Sequence, residues 1–315
     1  MFRALAIALL GVAISLGAPN TGCAQQTILF TEPFNGSWTG WYDGTGGSID
    51  TSVYSPNGGN SSARFHWNQG STGESGGARR RKFTPSETVY VAFDLKLGTA
   101  SAPWQGSQMP FHPHIIYLLT DANGDYSSLA WTNLTFYIEW SLFTPRLAIQ
   151  DGQRINTSQL TNAYPGLLGS ATPHAVAGGN GSQNQATPIS AGYYSIGAPN
   201  YANGTTWDSS SANLSNDRWH RVEVYVAMNT VSGGIPQANG VIRFWVDGAL
   251  VIERTNVYLR TANFASQKFN QFVLAPYIGN GSPVAQDLWI DNLVVANQRS
   301  AAASIPTPQN LRVLP

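Results

Sequence analysis

Three runs in the last third of the chain most constrain how it folds. They are Trp219-His220-Arg221-Val222-Glu223-Val224-Tyr225-Val226, Gly240-Val241-Ile242-Arg243-Phe244-Trp245-Val246-Asp247-Gly248 and Asp287-Leu288-Trp289-Ile290-Asp291-Asn292-Leu293-Val294-Val295. Each alternates or is rich in β-branched and aromatic residues, the pattern of a strand that packs one face and presents the other. The second run ends in Asp247-Gly248, a pair suited to a two-residue hairpin turn, and Leu250-Val251-Ile252-Glu253 follows as the return strand. Earlier runs read the same way: Ala63 to Trp67, Lys82-Phe83, Thr88 to Leu97, His114 to Leu119, Leu134 to Phe143 and Arg146 to Gln150. Turn signals such as Pro56-Asn57-Gly58, Asn123-Gly124-Asp125 and Asp151-Gly152 separate them. The expected core includes Val91, Phe93, Leu95, Phe136, Ile138, Val222, Val224, Val226, Ile242, Phe244, Val246, Ile290, Leu293 and Val295.

Composition agrees with an all-β chain. The 315 residues include 32 Gly and 18 Pro, and only 11% are charged, which leaves little material for long amphipathic helices. Formal net charge is zero, which argues against a nucleic-acid binder with its basic stripe. The N-terminus has the form of a secretion signal: Arg3, an apolar run from Ala4 to Leu16, and small residues at Gly22-Cys23-Ala24. That run is too short for a membrane span of the mature chain. The expected product is secreted, extracellular or periplasmic. Lipid anchoring at Cys23 is the weaker alternative, because Asn20 stands where a lipoprotein signal prefers a bulky aliphatic residue. Cys23 is also the single cysteine, so no disulfide is expected in the mature domain.

The expected organisation is a signal at residues 1–24, one domain over 25–297 and a linker-like tail over 298–315. Residues 152–214 interrupt the domain with a Gly, Asn, Ser and Thr-rich stretch that carries Tyr164, Tyr193, Tyr194, Tyr201 and Trp207. Loops of that length inside a compact domain are uncommon and often functional.

The order of the three closing runs resembles the concanavalin-like lectin and glucanase jelly roll, and implies an all-β sandwich. The same runs, with Phe269-Asn270-Gln271-Phe272, are similar to jelly-roll polysaccharide lyases of the alginate and glucuronan type. That likeness covers the last quarter to third of the chain. Three motifs of alginate lyases, Arg-x-Glu-x-Arg, Gln-x-His and Tyr-Phe-Lys-x-Gly, are absent from this sequence. The resemblance implies a carbohydrate-active protein with a polysaccharide partner. It also admits a structural calcium, for which Asp287 and Asp291 are candidates; no other cofactor or metal is expected, and the chain is expected to act as a monomer.

Three chemistries fit such a fold. A lyase acting on a uronic-acid polymer needs a group that neutralises the C6 carboxylate, a base for the C5 proton and an acid for the leaving oxygen. The candidates are Arg79 or Arg81 with Asn270 or Gln271 for the first role, and Tyr137 or His66 as base. Substrate contacts are expected from Arg64, His112, His114, Tyr117, Arg221, Glu223, Tyr225, Tyr277 and Trp207. A glycoside hydrolase needs two carboxylates, about 5 Å apart for retention and about 6.5–9.5 Å for inversion, and Glu139 with Glu223 is the pair on offer. A lectin-like module needs only aromatic and amide contacts.

Overall fold

A computed structural model of the chain describes residues 26–73, 77–105, 113–121, 135–141, 144–150, 155–156, 193–194, 205–208, 214–233, 235–257, 259 and 265–300. Among them there is no helix. The strands are β1 (Ile28–Glu32), β2 (Tyr42–Asp43), β3 (Ser48–Asp50), β4 (Ser62–Trp67), β5 (Arg79–Ser86), β6 (Thr88–Leu97), β7 (Pro113–Thr120), β8 (Thr135–Ser141), β9 (Thr144–Gln150), β10 (Ile155–Asn156), β11 (Tyr193–Tyr194), β12 (Thr205–Asp208), β13 (Trp219–Ala227), β14 (Val231–Ser232), β15 (Ile235–Pro236), β16 (Gly240–Val246), β17 (Ala249–Val257), β18 (Phe269–Ile278) and β19 (Gln286–Ala296).

Two antiparallel sheets form the sandwich. The first has the order β17-β16-β13-β6-β19-β4-β3, with β1 also paired to β19 beyond the end of β4. The second has the order β12-β9-β8-β7-β18-β5-β2. The three closing runs of the sequence therefore all belong to the first sheet as β13, β16 and β19. Their alternate apolar positions face inward, where Val222, Val224, Val226, Ile242, Phe244, Val246, Ile290, Leu293 and Val295 are buried with Val91, Phe93 and Leu95 of β6. The second sheet closes this core with Phe83, Ile116, Leu118, Phe269, Phe272 and Leu274. The side chains of Phe136 and Ile138 lie outside the described residues.

The Asp247-Gly248 turn behaves as its residues require. Val246 pairs with Ala249, leaving a two-residue loop, and both loop residues take positive φ, 50° and 81°. A bulge between Asp291 and Val294 shifts the register of β19 against β6, so that Leu293 and Val295 remain on the core side. Asn292 takes the left-handed conformation that this bulge needs, with φ 50°. The segment between β3 and β4 crosses the outer face of the first sheet and is pinned there by Ser55. Its amide donates to Asp291 Oδ2 at 2.9 Å, and its hydroxyl donates to Asp94 Oδ2 at 2.6 Å.

Candidate active site

The outer face of the second sheet gathers the groups best suited to proton transfer. Its strands alternate, so the core residue Phe83 of β5 fixes which arginines point where. Arg79 and Arg81 share the parity of Phe83 and face the inner side of the sheet. Arg81 sits 4.5 Å from the centroid of the Phe30 ring and donates to Glu32 Oε2 at 3.3 Å. Arg79 stacks 4.0 Å from the centroid of Trp38 and donates to the carbonyls of Thr45, at 2.8 Å, and Gly46. Both arginines brace the β1–β3 region. The expectation that they form a carboxylate clamp is corrected on that ground: they share a face, but it is the face turned away from the presented surface.

Arg80, between them, occupies the outer side. It is fully buried and donates through Nε to Asp43 Oδ2 at 2.6 Å and through Nη1 to Gln271 Oε1. Gln271 is also buried, and its amide donates to the Thr120 carbonyl at 3.3 Å. Lys82 lies two residues on, exposed on the same face, with its ammonium 5.8 Å from the centroid of the Tyr42 ring. Asn270 is half-buried at the bulge where β18 leaves the register of its neighbours, and its Oδ1 is buried without a hydrogen bond among the described residues.

Pairing then sets out rows across the face. Arg80 is opposite Val273, and Val273 is opposite Tyr117. Tyr117 is opposite Tyr137 of β8. In the next row Lys82 is opposite Gln271. His114 pairs with Tyr277 on one side and Glu139 on the other. The side chains of His114, Tyr117 and Tyr277 meet. Nδ1 of His114 lies 3.4 Å from the Tyr117 hydroxyl, and its ring is 6.0 Å from that of Tyr277. His114 is largely buried, Tyr117 half-buried and Tyr277 exposed. An imidazole and a phenol in contact at the edge of solvent can exchange protons with a bound molecule. Strand spacing of about 4.8 Å puts the Arg80 and Tyr117 backbones about 10 Å apart, a span that side chains of this length and a sugar ring can fill together.

The remaining expected residues divide between the sheets. Arg64 and His66 lie on the outer face of the first sheet, half exposed, and both engage Asp287: Arg64 through Nε at 2.8 Å and Nη2 at 3.0 Å, His66 through Nδ1 at 2.9 Å. Arg221, Glu223 and Tyr225 share that outer face, as their alternation requires. Glu223 is buried and accepts hydrogen bonds from the Tyr90 hydroxyl at 2.6 Å and from Arg299 at 2.8 and 3.0 Å. Burial, then the neighbouring Glu223 carboxylate, push the Tyr90 phenol well above its ordinary range. These residues cannot share a groove with His114 and Tyr117, because the core lies between the two outer faces. For the same reason Glu139 and Glu223 are corrected as a hydrolase pair: they belong to opposite sheets. His112 and the side chains of Tyr137, Glu139 and Trp207 lie outside the described residues. The backbone of Trp207 pairs with Leu147 at the edge of the second sheet.

Two further clusters prove to be braces. His220 is buried, with Nδ1 2.8 Å from Asp247 Oδ2 and Nε2 3.1 Å from the Ser215 hydroxyl. That order of groups resembles a nucleophile relay, but the Ser215 amide donates into the same Nε2 at 2.9 Å. The imidazole lone pair therefore holds the backbone. Asp287 and Asp291, on which the calcium expectation rests, are engaged as well: Asp287 by Arg64 and His66, Asp291 by the amides of Ser55 and Asn292. Among the described residues no group of three or more His, Cys, Asp or Glu is placed to hold a metal ion. No helix among them is long and apolar enough to cross a membrane.

Within the run Arg79-Arg80-Arg81-Lys82 the sequence reading did not single out Arg80 as the arginine of this face, and it missed Asp43, the partner of Arg80. Phe83 was the available signal, since counting back from a core aromatic assigns Arg81 and Arg79 inward and Arg80 outward. Nothing in the sequence ties Asp43 to Arg80, which lies 37 residues away.

No family model matches the chain, and no curated protein matches it by sequence. Solved structures do. An alginate lyase from Aplysia kurodai aligns over 86% of this chain and 100% of its own length, with a TM-score of 0.56 and 14% identity. An alginate lyase from a Chlorella virus aligns over 86% and 100%, with a TM-score of 0.55 and 14% identity. An endo-β-1,4-glucuronan lyase from the fungus Trichoderma reesei aligns over 86% and 96%, with a TM-score of 0.52 and 16% identity. The chain is an all-β jelly-roll sandwich, the fold these polysaccharide lyases have.

Proposed function

We propose that the protein is a polysaccharide lyase that cleaves a uronic-acid polymer by β-elimination on the outer face of its second sheet. The observation that carries this reading is the contact of His114 with Tyr117, in the same face as a cation. Lys82 is the exposed cation there and is the proposed partner of the C6 carboxylate, above a floor made by the buried Arg80–Gln271 pair. With the carboxylate neutralised, a base of the His114–Tyr117 pair removes the proton on C5. The electron pair forms the C4–C5 double bond, the C4–O4 bond breaks, and the other member protonates the departing oxygen. Tyr137, in the row of Tyr117, and Tyr277 are proposed to line the bound chain, with Asn270 as a further contact. An N-terminus with the form of a secretion signal is consistent with action outside the cytoplasm.

A second reading, a binding module without turnover, is favoured by one fact: Arg80 and Gln271 are buried, so charge lies beneath the face as well as on it. The mature chain incubated with alginate, glucuronan, pectate, glycosaminoglycans and neutral glucans separates the two. Ultraviolet absorbance from unsaturated uronate ends, rising with reducing ends on one acidic polymer, supports the lyase. Retarded migration through a polymer-loaded gel with neither signal supports the module.

A further inference from the structure

The outer face of the first sheet has a cavity of about 300 Å³, on the far side of the core from His114 and Tyr117. Its wall is formed by the β1 end and the β19 bulge, and Asn57 of the pinned segment contributes to its rim. Arg221 and Asp94 form its polar side. They are register neighbours on β13 and β6, and Nη1 of Arg221 donates to Asp94 Oδ1 at 3.0 Å and to the Asn292 carbonyl at 3.1 Å. Nε and Nη2 of Arg221 make no hydrogen bond among the described residues, nor does the side-chain amide of Asn57. Pro33 and Val294 supply an apolar wall.

We propose that this cavity binds one neutral hexopyranose unit, as a saccharide site separate from the face that holds His114. The volume is at the small end of ligand pockets, which begin at about 300 Å³, and so suits one ring rather than a chain segment. A guanidinium edge and the exposed Asn57 amide donate to hydroxyls, and the Asn57 side-chain oxygen accepts from one, while Asp94, buried and held by Ser55, Asn292 and Arg221, fixes the guanidinium in place. The apolar wall meets the C–H face of the ring. The charges around the cavity are already matched: Asp94 is paired with Arg221 at 3.0 Å, and Glu32 with Arg81 at 3.3 Å. A uronate would bring an unmatched carboxylate into that balance, whereas a vicinal diol uses donors and acceptors without adding charge.

The test is saturation-transfer NMR on the full mature chain with the methyl glycosides of glucose, galactose and mannose, with methyl glucuronide and calcium chloride as comparison probes. Arg221 supports the fold, so the variants are Asn57→Leu, which removes only an exposed amide, and Val294→Trp, which fills the cavity. The expected result is binding of at least one neutral glycoside, weakened about tenfold by Asn57→Leu and abolished by Val294→Trp, with no competition from methyl glucuronide. The proposal is overturned if no neutral glycoside binds or if binding survives both variants. It is equally overturned if methyl glucuronide binds as well, or if calcium alone perturbs the site. None of these outcomes depends on turnover, so they stand apart from the lyase reading.

Discussion

Arg80 and Gln271 are joined side chain to side chain across neighbouring strands, both buried on the outer face of the second sheet. The neighbouring Arg81 points the other way, onto Phe30 and Glu32. One residue of parity thus separates an arginine under the proposed site from one that braces the core edge.

That parity sets up a contrast between Lys82 and Arg81. Lys82→Met should lower kcat/KM on the cleaved polymer by about 10²-fold, the scale of removing one charge-stabilising donor, and leave the melting temperature unchanged. Arg81→Met should leave turnover close to wild type and lower the melting temperature. Steady-state kinetics and thermal unfolding on the same preparations check both.

The His114–Tyr117 contact predicts loss of proton transfer from either side. His114→Asn and Tyr117→Phe should each reduce kcat by about 10²–10⁴-fold. Each should also remove one limb of the pH–rate profile, a change that a purely structural role would not produce.

Much of the fold was legible because its signals are local. The alternation in Val222, Val224 and Val226 and the Asp247-Gly248 turn state their own geometry, and β6 runs from Thr88 to Leu97 as expected. The site was legible only in its residue types. Arg64, His66, Arg221 and Glu223 look as suitable as His114 and Tyr117 by alternation alone, because both sheets have a presented face. Which strands share a sheet depends on pairings as distant as β18 with β5, and the sequence carries no short-range record of them. β5 runs from Arg79 to Ser86, well beyond the Lys82-Phe83 run, because three consecutive arginines carry no apolar alternation although Arg80 is buried.

Glu223 is predicted to act in stability alone. Glu223→Gln removes the charge that holds Arg299 and the Tyr90 hydroxyl, and should cost about 2–3 kcal/mol by chemical denaturation. Turnover by the folded fraction should be unchanged, which a hydrolase carboxylate would not permit.

Asp247 gives a signed pH dependence. Burial opposes its ionisation, but the hydrogen bonds from His220 and the Arg221 amide outweigh that and hold the carboxyl below its ordinary value. A depressed folded value contributes stability that is present above the unfolded value of about 3.9 and is lost as pH falls through the folded one. Asp247→Asn should therefore flatten the fall in melting temperature below about pH 4 relative to wild type. An unchanged acid limb would remove Asp247 from the account.

The central claim is that bonds in a uronate polymer are broken here by elimination. Digestion in heavy-oxygen water, with products read by mass spectrometry, tests it most directly. The account predicts fragments with one unsaturated end, lighter by one water than hydrolysis products and free of solvent oxygen. Saturated fragments carrying the heavy oxygen at the new reducing end would contradict it.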